Sequence, residues 1–592
     1  MSDSAALADI AGRYWDHLTS TNPTTALLNG DHRFGDRMED VTRAGEDHSI
    51  GVFEAFAAEA ERIDPSKLTA DESVTRSVLI HEAQAQAAEL QSRYAEIAVS
   101  SVMGFHVNLQ SAAPQFPIIE PEHAEALVEK YRAISGMFDD AIKRLRQGLA
   151  RDRTPPAVAV ERTIEQIDGY LATSLHTDLF LQVRSPEVFD ENAERVWRES
   201  LSHLVESEIR PAYRRYRDAL ADEVLVRSRP QEKSGVVWLP DGAEVYERAV
   251  ARHTTLPLTA MEVHRIGLDS VESLAGEYRE LGGRVLGTSD LSTIFDRLRN
   301  DPALRFTDSA AVRAQAIRAL DRAREAIPDW FGRLPQADCV VVDIPEVAAK
   351  DSTIAYYLQP AADGTRPGSY YINVSEPTTR TVFESEVLAF HESIPGHHLQ
   401  IAIAQELEDI PEFRRHAWIT AYGEGWGLYT ERLSDEMGMY SGDVERLGIL
   451  SFDSWRACRL VVDTGMHALG WSRQEAIDYL LENSPQASNN IVNEVDRYIA
   501  WPRDQIEDWM RETHAILPVE CSLPEWIRFC DWMGLQRNLK IVGIFARLKY
   551  RDGKDGYLEM IPRFYQYLLD VLPLYPELHE FQLLLEQSEC AP

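Results

Sequence analysis

Apolar positions recur at helical spacing over most of the first 330 residues, and charged or polar residues fill the faces between them. Residues 4–20 carry one such stripe, which ends before Thr21-Asn22-Pro23. Runs rich in Ala, Glu, Leu, Arg and Gln, all good helix formers, predict long helices over 49–62, 70–98, 121–149 and 155–174, with a break at Pro155-Pro156. Residues 187–221 read as a further long helix around Pro211, and Pro230 to Gly242 as a loop with a short strand. Helices return at 243–253, 257–284, 290–299 and 308–332. The chain shows no internal repeat and no low-complexity linker.

The texture changes between 338 and 375. The runs C-V-V-V-D-I-P, I-A-Y-Y-L-Q-P and S-Y-Y-I-N-V are β-branched and aromatic and are bounded by Pro and Gly, so they predict a small sheet. The helical period then resumes. Leu388, Phe390 and Ile394 form an apolar face, and Glu384 opens the segment where a negative charge suits the helix dipole. Residues 412–438 predict a partner helix and 441–483 two more. The fold class is therefore mainly α with a small β-sheet. Three regions are expected: helical 1–335, then 336–510 with the sheet and the chemistry-bearing helices, then helical 511–592.

The chemistry concentrates in H-E-S-I-P-G-H-H-L-Q, His391 to Gln400, followed by Glu424 in Y-G-E-G-W-G-L-Y-T-E-R. A His-Glu pair offers a metal ligand and a base, a later His a second ligand, and a downstream Glu a third. Zinc accepts such nitrogen and oxygen donors at about 2.0–2.2 Å and keeps one position for water in catalytic sites. In the familiar H-E-x-x-H pattern the two His lie four apart on one helical face. Here position 395 is Pro. On an ideal helix His397 would sit about 120° off the His391 face, and His398 would return to it but about 10.5 Å along the axis. Pro395 removes a backbone donor, and Gly396 adds freedom. A π-type bulge that absorbs two residues makes His397 the preferred second ligand, with His398 as the alternative, otherwise facing substrate. Two His after Pro-Gly would also suit a helix C-terminus.

Glu431 lies seven residues past Glu424, two turns on along the same face, where it can accept the N–H of a ligand His or stand as a solvated charge. Arg456 and Arg459 could hold a substrate carboxylate, or pair structurally with Asp453 or Asp463. Tyr498 and His467 are candidate donors to an oxyanion, and Tyr370 and Tyr371 are weaker substrate-binding candidates. The expected site holds one Zn²⁺ per chain on His391, His397 and Glu424, with Glu392 as general base.

These segments resemble a widespread bacterial family known as domain of unknown function 885. The resemblance rests on N-P-T-T-A-L-L-N-G (22–30), P-G-S-Y-Y-I-N (367–373), the H-E segment, E-G-W-G-L-Y-T-E (424–431), R-L-V-V-D-T-G-M-H (459–467) and E-V-D-R-Y-I-A-W-P (494–502). It spans roughly residues 10 to 502. Members look like zinc metallopeptidases distantly similar to the all-helical thimet-oligopeptidase and Taq-carboxypeptidase type. The resemblance implies a multi-helix, zincin-like bowl, a sheet edge beside the cleft that can pair with an extended peptide, and short peptides as substrates. The stretch from Arg503, R-D-Q-I-E-D-W-M, departs from the family's usual continuation. A catalytically degenerate peptide- or ligand-binding protein, or a hydrolase of a non-peptide amide or ester, are the competing expectations.

Composition narrows the partners. The 592-residue chain carries 96 acidic residues against 60 Lys and Arg, a net charge of −36. That disfavours nucleic acid and anionic membrane surfaces, both of which need basic residues. Its 44% hydrophobic content suits a globular protein, and the length suits several subdomains. Five Cys at 339, 458, 521, 530 and 590 show no C-x-x-C and suggest no disulfide framework. The first ten residues lack a basic segment followed by an apolar core, and no apolar run approaches a transmembrane span. The expectation from these features is a soluble cytoplasmic protein. Nothing in the sequence fixes its oligomeric state.

Overall fold

Several helices begin where side chains satisfy the first free backbone N–H groups. Ser2 caps Asp3–Thr21 through the N–H of Ala5, Thr69 and Glu72 form a reciprocal capping box on Ala70–Gln91, and Thr259 and Glu262 do the same on Ala260–Leu286. The last of these stops at Gly287, whose φ of +69° is the left-handed conformation that glycine adopts without penalty. The structure, a computed structural model, describes residues 2–101, 103–344, 354–360, 366–417 and 419–500. The chain divides into two compact units, Met1–Ile516 and Leu517–Pro592, and all the described residues fall in the first. The expected 511–592 region, the divergent stretch from Arg503, and Cys521, Cys530 and Cys590 lie outside the described residues.

Three of the expected elements take a different form. The 187–221 helix runs as Glu191–Leu204 and Arg210–Ala219, each followed by a π turn, at Val205–Ile209 and Leu220–Val224. Pro211 sits in the first turn after the first π segment, where the ring needs no backbone donor. The stretch from Pro230 to Gly242 holds 3-10 turns at Gln231–Lys233 and Val236–Trp238 rather than a strand, since it has no partner strand to pair with among the described residues. The expected 412–438 helix divides into Glu412–His416 and Thr420–Glu436.

The sheet has three strands, β1 (Cys339–Asp343), β2 (Ala355–Leu358) and β3 (Gly368–Ile372), in the order β1-β3-β2. β1 runs parallel to β3, and β2 antiparallel. Tyr357 lies opposite Tyr370, and Tyr356 opposite Tyr371. Alternation sends Tyr370 and Ile372 into a core shared with Val387, Phe390 and Ile394, while Tyr356 and Tyr371 stack on the other face at 4.7 Å. The sheet is thereby fixed against the helix Ser385–Glu392, which carries the H-E pair.

The helix Asp443–His467 is buried along nearly its whole length from Leu447 onward. It packs lengthwise on Ala260–Leu286, where a Cβ on Gly267 would stand 2.6 Å from that of Leu460. It also touches Ser385–Glu392 and Thr420–Glu436, two of the helices that carry the candidate site. Among the described residues no helix is long and apolar enough to cross a membrane.

Candidate metal centre

The helix Ser385–Glu392 ends at Glu392, and a new helix, His397–Gln405, begins five residues later. This replaces the π-type bulge expected within a continuous helix. Pro395 has no N–H to offer the carbonyl of His391, and its ring excludes the next helical turn. Residues Ser393–Gly396 instead make a tight reversal with a cis Ile394–Pro395 bond. Three contacts hold it: the N–H of His398 donates to the Ser393 carbonyl at 3.0 Å, the Ser393 hydroxyl to the Ala389 carbonyl at 2.5 Å, and Trp426 Nε1 to the Pro395 carbonyl at 2.9 Å. Gly396 passes so close to the end of the first helix that a Cβ there would stand 1.8 Å from the His391 carbonyl oxygen.

The reversal brings His397 beside His391, with ring centroids 4.6 Å apart and planes at 83°. Glu424, from the helix Thr420–Glu436, completes the group. Its Oε2 lies 3.5 Å from His391 Nε2 and 3.5 Å from His397 Nε2. The three ligand-type atoms all fall within 4.8 Å of one another, and all three residues are buried. A tetrahedron with vertices ~2.1 Å from a central zinc has edges of roughly 3.4 Å, so two of the three separations match the donor set of such a site. Gly427 permits the approach of the two helices, because a Cβ there would stand 2.5 Å from Cε1 of His391.

Behind His391, its Nδ1 donates to Glu431 Oε1 at 2.8 Å, which directs the Nε2 lone pair toward Glu424. Burial opposes the charge on Glu431, but the Arg456 guanidinium and the His391 hydrogen bond hold its carboxyl below the usual range. Glu392 follows His391 directly and is half-buried. Tyr370 is fully buried near it. Burial first, and then the Glu392 charge, push the Tyr370 phenol well above its ordinary value, which keeps it a proton donor.

Other expected site residues lie elsewhere. His398 is buried between β3 and the segment before β1, with Tyr357 Oη 2.9 Å from Nδ1 and the Ala337 carbonyl 3.0 Å from Nε2. The carbonyl can only accept, so Nε2 carries the hydrogen, Nδ1 accepts from the tyrosine, and no lone pair remains for a metal or a substrate. Tyr371 faces away from the H-E helix, on the opposite side of the sheet. Arg456 donates to both oxygens of Glu431, and Arg459 is engaged by Glu494 and the Tyr498 hydroxyl, so both guanidinium groups are held by partners inside the protein. His467 Nδ1 accepts from the N–H of Val236, which leaves its Nε2–H facing the Tyr498 carbonyl at 3.2 Å rather than an oxyanion. Tyr498 is fully buried beside Arg459. The contacts of Gly427 and Tyr357 escaped sequence reasoning; the second glycine of E-G-W-G was the available signal for the first.

The sequence profile of the family described as bacterial protein of unknown function, DUF885, matches residues 23–503. The chain belongs to this family. Its fold is that of two solved structures. One, described as a "putative lipoprotein" from Colwellia psychrerythraea, is 21% identical with a TM-score of 0.79 and covers 96% of this chain and 97% of its own. The other, a "putative lipoprotein of unknown function" from Shewanella oneidensis, is 16% identical with a TM-score of 0.65 and covers 94% of this chain and 96% of its own. The cytoplasmic expectation is corrected on this ground, since both full-length structural relatives are described as lipoproteins. A separate, short likeness is to N-acetylmuramate/N-acetylglucosamine kinases. The Neisseria meningitidis enzyme is 45% identical over 95 residues, which cover 15% of this chain and 28% of the kinase. The Pseudomonas putida enzyme is 38% identical over 100 residues, 16% of this chain and 30% of the kinase. The chain thus spans under a third of the length of these curated relatives.

Proposed function

We propose that this protein is a zinc-dependent hydrolase that cleaves short peptides. The observation that carries the reading is the convergence of His391 Nε2, His397 Nε2 and Glu424 Oε2 at separations suited to one small cation, with Glu392 adjoining the first ligand. Two imidazoles and one carboxylate are a donor set that zinc favours. Zinc held there supplies Lewis acidity and a water that is nucleophilic near neutral pH.

The protein's own groups supply the rest. Glu392 accepts the proton of the attacking water and returns it to the leaving nitrogen. Tyr370, buried behind the H-E helix, keeps its proton beside the Glu392 charge. Glu431 keeps the His391 ring in one orientation. Peptide as substrate class follows from the resemblance to all-helical zinc peptidases, and the strand β2 at the sheet edge is suited to pair with an extended chain.

The test is elemental analysis of the purified protein beside His391→Ala, His397→Ala and His398→Ala, followed by peptide-library hydrolysis. About one zinc per chain is expected, lost in the first two variants and retained in the third. Glu392→Gln should keep the metal and lose at least ~10²-fold in turnover. A wild-type protein that takes up no zinc when it is supplied would refute the reading. Zinc with turnover of esters or non-peptide amides alone would refute the substrate class.

A further inference from the structure

We infer that Arg456 is a positioning residue for the metal centre, acting on His391 through Glu431. The inference rests on the hydrolase reading for its purpose and on the geometry alone for its existence. Three helices meet at this point. Ser385–Glu392 brings His391, Thr420–Glu436 brings Glu431, and Asp443–His467 brings Arg456. Arg456 is 1% exposed and Glu431 0%. Arg456 Nη1 donates to Glu431 Oε2 at 2.7 Å, and Nη2 donates to Oε1 at 2.6 Å. Oε1 also accepts from His391 Nδ1 at 2.8 Å, and Arg456 Nη2 stands 3.5 Å from the same Nδ1, a longer contact than the one to the carboxylate.

The fork is what makes the arrangement directional. A guanidinium has donors only, in a rigid plane, so a carboxylate that meets two of them is fixed in rotation as well as in place. With both oxygens held, the remaining acceptor direction of Oε1 points at His391 Nδ1. The imidazole hydrogen is then drawn to Nδ1, and the lone pair is left on Nε2, the nitrogen that faces Glu424. The guanidinium is itself held over the Phe452 ring at 5.0 Å, and the Tyr440 hydroxyl donates to the Glu431 carbonyl at 3.1 Å. A lysine in its place would keep the charge and lose the two-point grip. Because the relay joins the helices that carry His391 and Glu424, it also fixes the spacing of those two ligands before any metal arrives.

The experiment compares the wild type with Arg456→Lys and with the Arg456→Met/Glu431→Gln double variant, which leaves no buried unpaired charge. Two quantities are read: zinc affinity by competition with a chromophoric chelator, and the ¹⁵N signature of His391 in metal-free, ¹⁵N-histidine-labelled protein, assigned by its loss in His391→Gln. The wild type should show hydrogen on Nδ1 alone. Arg456→Lys should bind zinc about 10- to 100-fold more weakly and show a mixed tautomer signature, while KM for peptide at saturating zinc stays unchanged. Unchanged zinc affinity and an unchanged signature in both variants would overturn the inference. So would a raised KM for peptides with a free C-terminus at unaltered zinc affinity, which would assign Arg456 to substrate. A wild type that binds no zinc, but whose His391 signature still responds to Arg456→Lys, would refute the hydrolase reading and leave the positioning role standing.

Discussion

Gly427→Ala is a sharp test of how tightly the candidate centre is built. The added Cβ would stand 2.5, 2.8 and 2.9 Å from Cε1, Nδ1 and Nε2 of the His391 ring, against 3.4–4 Å for an ordinary contact. Relief therefore requires the ring or the helix Thr420–Glu436 to shift by about 1 Å. His391 is 1% exposed, and its Nδ1 hydrogen bond to Glu431 is 2.8 Å long, so a shift of that size breaks the bond and misplaces Nε2 relative to Glu424. Forced repacking of this kind costs about 1–3 kcal/mol of stability, and loss of the orienting partner about 10- to 100-fold in metal affinity. The assay is chelator competition with zinc, run beside urea unfolding of the metal-free protein. Gly276→Ala is the control. It lies on an exposed face of Ala260–Leu286 with nothing within 4 Å of its added Cβ, so it should raise stability by up to ~1 kcal/mol and leave zinc affinity alone. A Gly427→Ala protein that folds with undiminished stability and binds zinc within about threefold of wild type would refute the close-packed geometry.

Three further outcomes follow from buried groups. Burial lifts the Asp463 carboxyl to about 7, against the pull of the Tyr246 hydroxyl and Arg459, so its contribution to stability is complete below about pH 4 and declines as pH rises through 7. Asp463→Asn should flatten the fall in urea midpoint between pH 5 and 8 relative to wild type, and parallel profiles for the two proteins would refute this. Glu386→Ala strips a fully buried carboxylate that accepts from Gln315, Arg322 and both the N–H and the hydroxyl of Ser441, so a loss of about 3–5 kcal/mol is expected in chemical unfolding. Tyr357→Phe removes the donor to His398 Nδ1 and should cost about 1 kcal/mol with zinc content unchanged, whereas zinc loss would return His398 to the list of ligands.

Local signals carried most of the fold. The capped amphipathic runs, the break at Pro155-Pro156 and the three aromatic, β-branched strands are each written in a few neighbouring residues, and each forms near its expected place. His391, His397 and Glu424 were legible because the residue types and their order imply shared chemistry. The way they come together was not. A helix break and a bulge both absorb two residues, and the choice depends on the close passage of Gly396 over the His391 carbonyl and on the long-range contact of Trp426 with Pro395. Ion-pair partners were the least legible. Arg456 finds Glu431, 25 residues back, and Arg459 finds Glu494, 35 residues on, while the nearer Asp453 and Asp463 face Arg432 and Tyr246. Which carboxylate meets which guanidinium is decided by helix packing, and local spacing says little about it.

The helix Asp443–His467 has a consequence for how the chain reaches this state. Its interior face carries Arg456, Arg459, Asp463, Thr464 and His467, and their partners come from Glu431, Glu494, Tyr246, His264 and Val236. No neighbouring segment satisfies more than a fraction of these groups. Partly assembled forms that dock the helix against one partner alone bear the cost of the others, stripped of water and unmatched. Assembly of this region is therefore concerted, and the amide hydrogens of Leu447–His467 should exchange with solvent only through global unfolding. The same arrangement makes the surroundings of His391 resistant to local breathing, so proteolysis of the native protein should begin outside this helix.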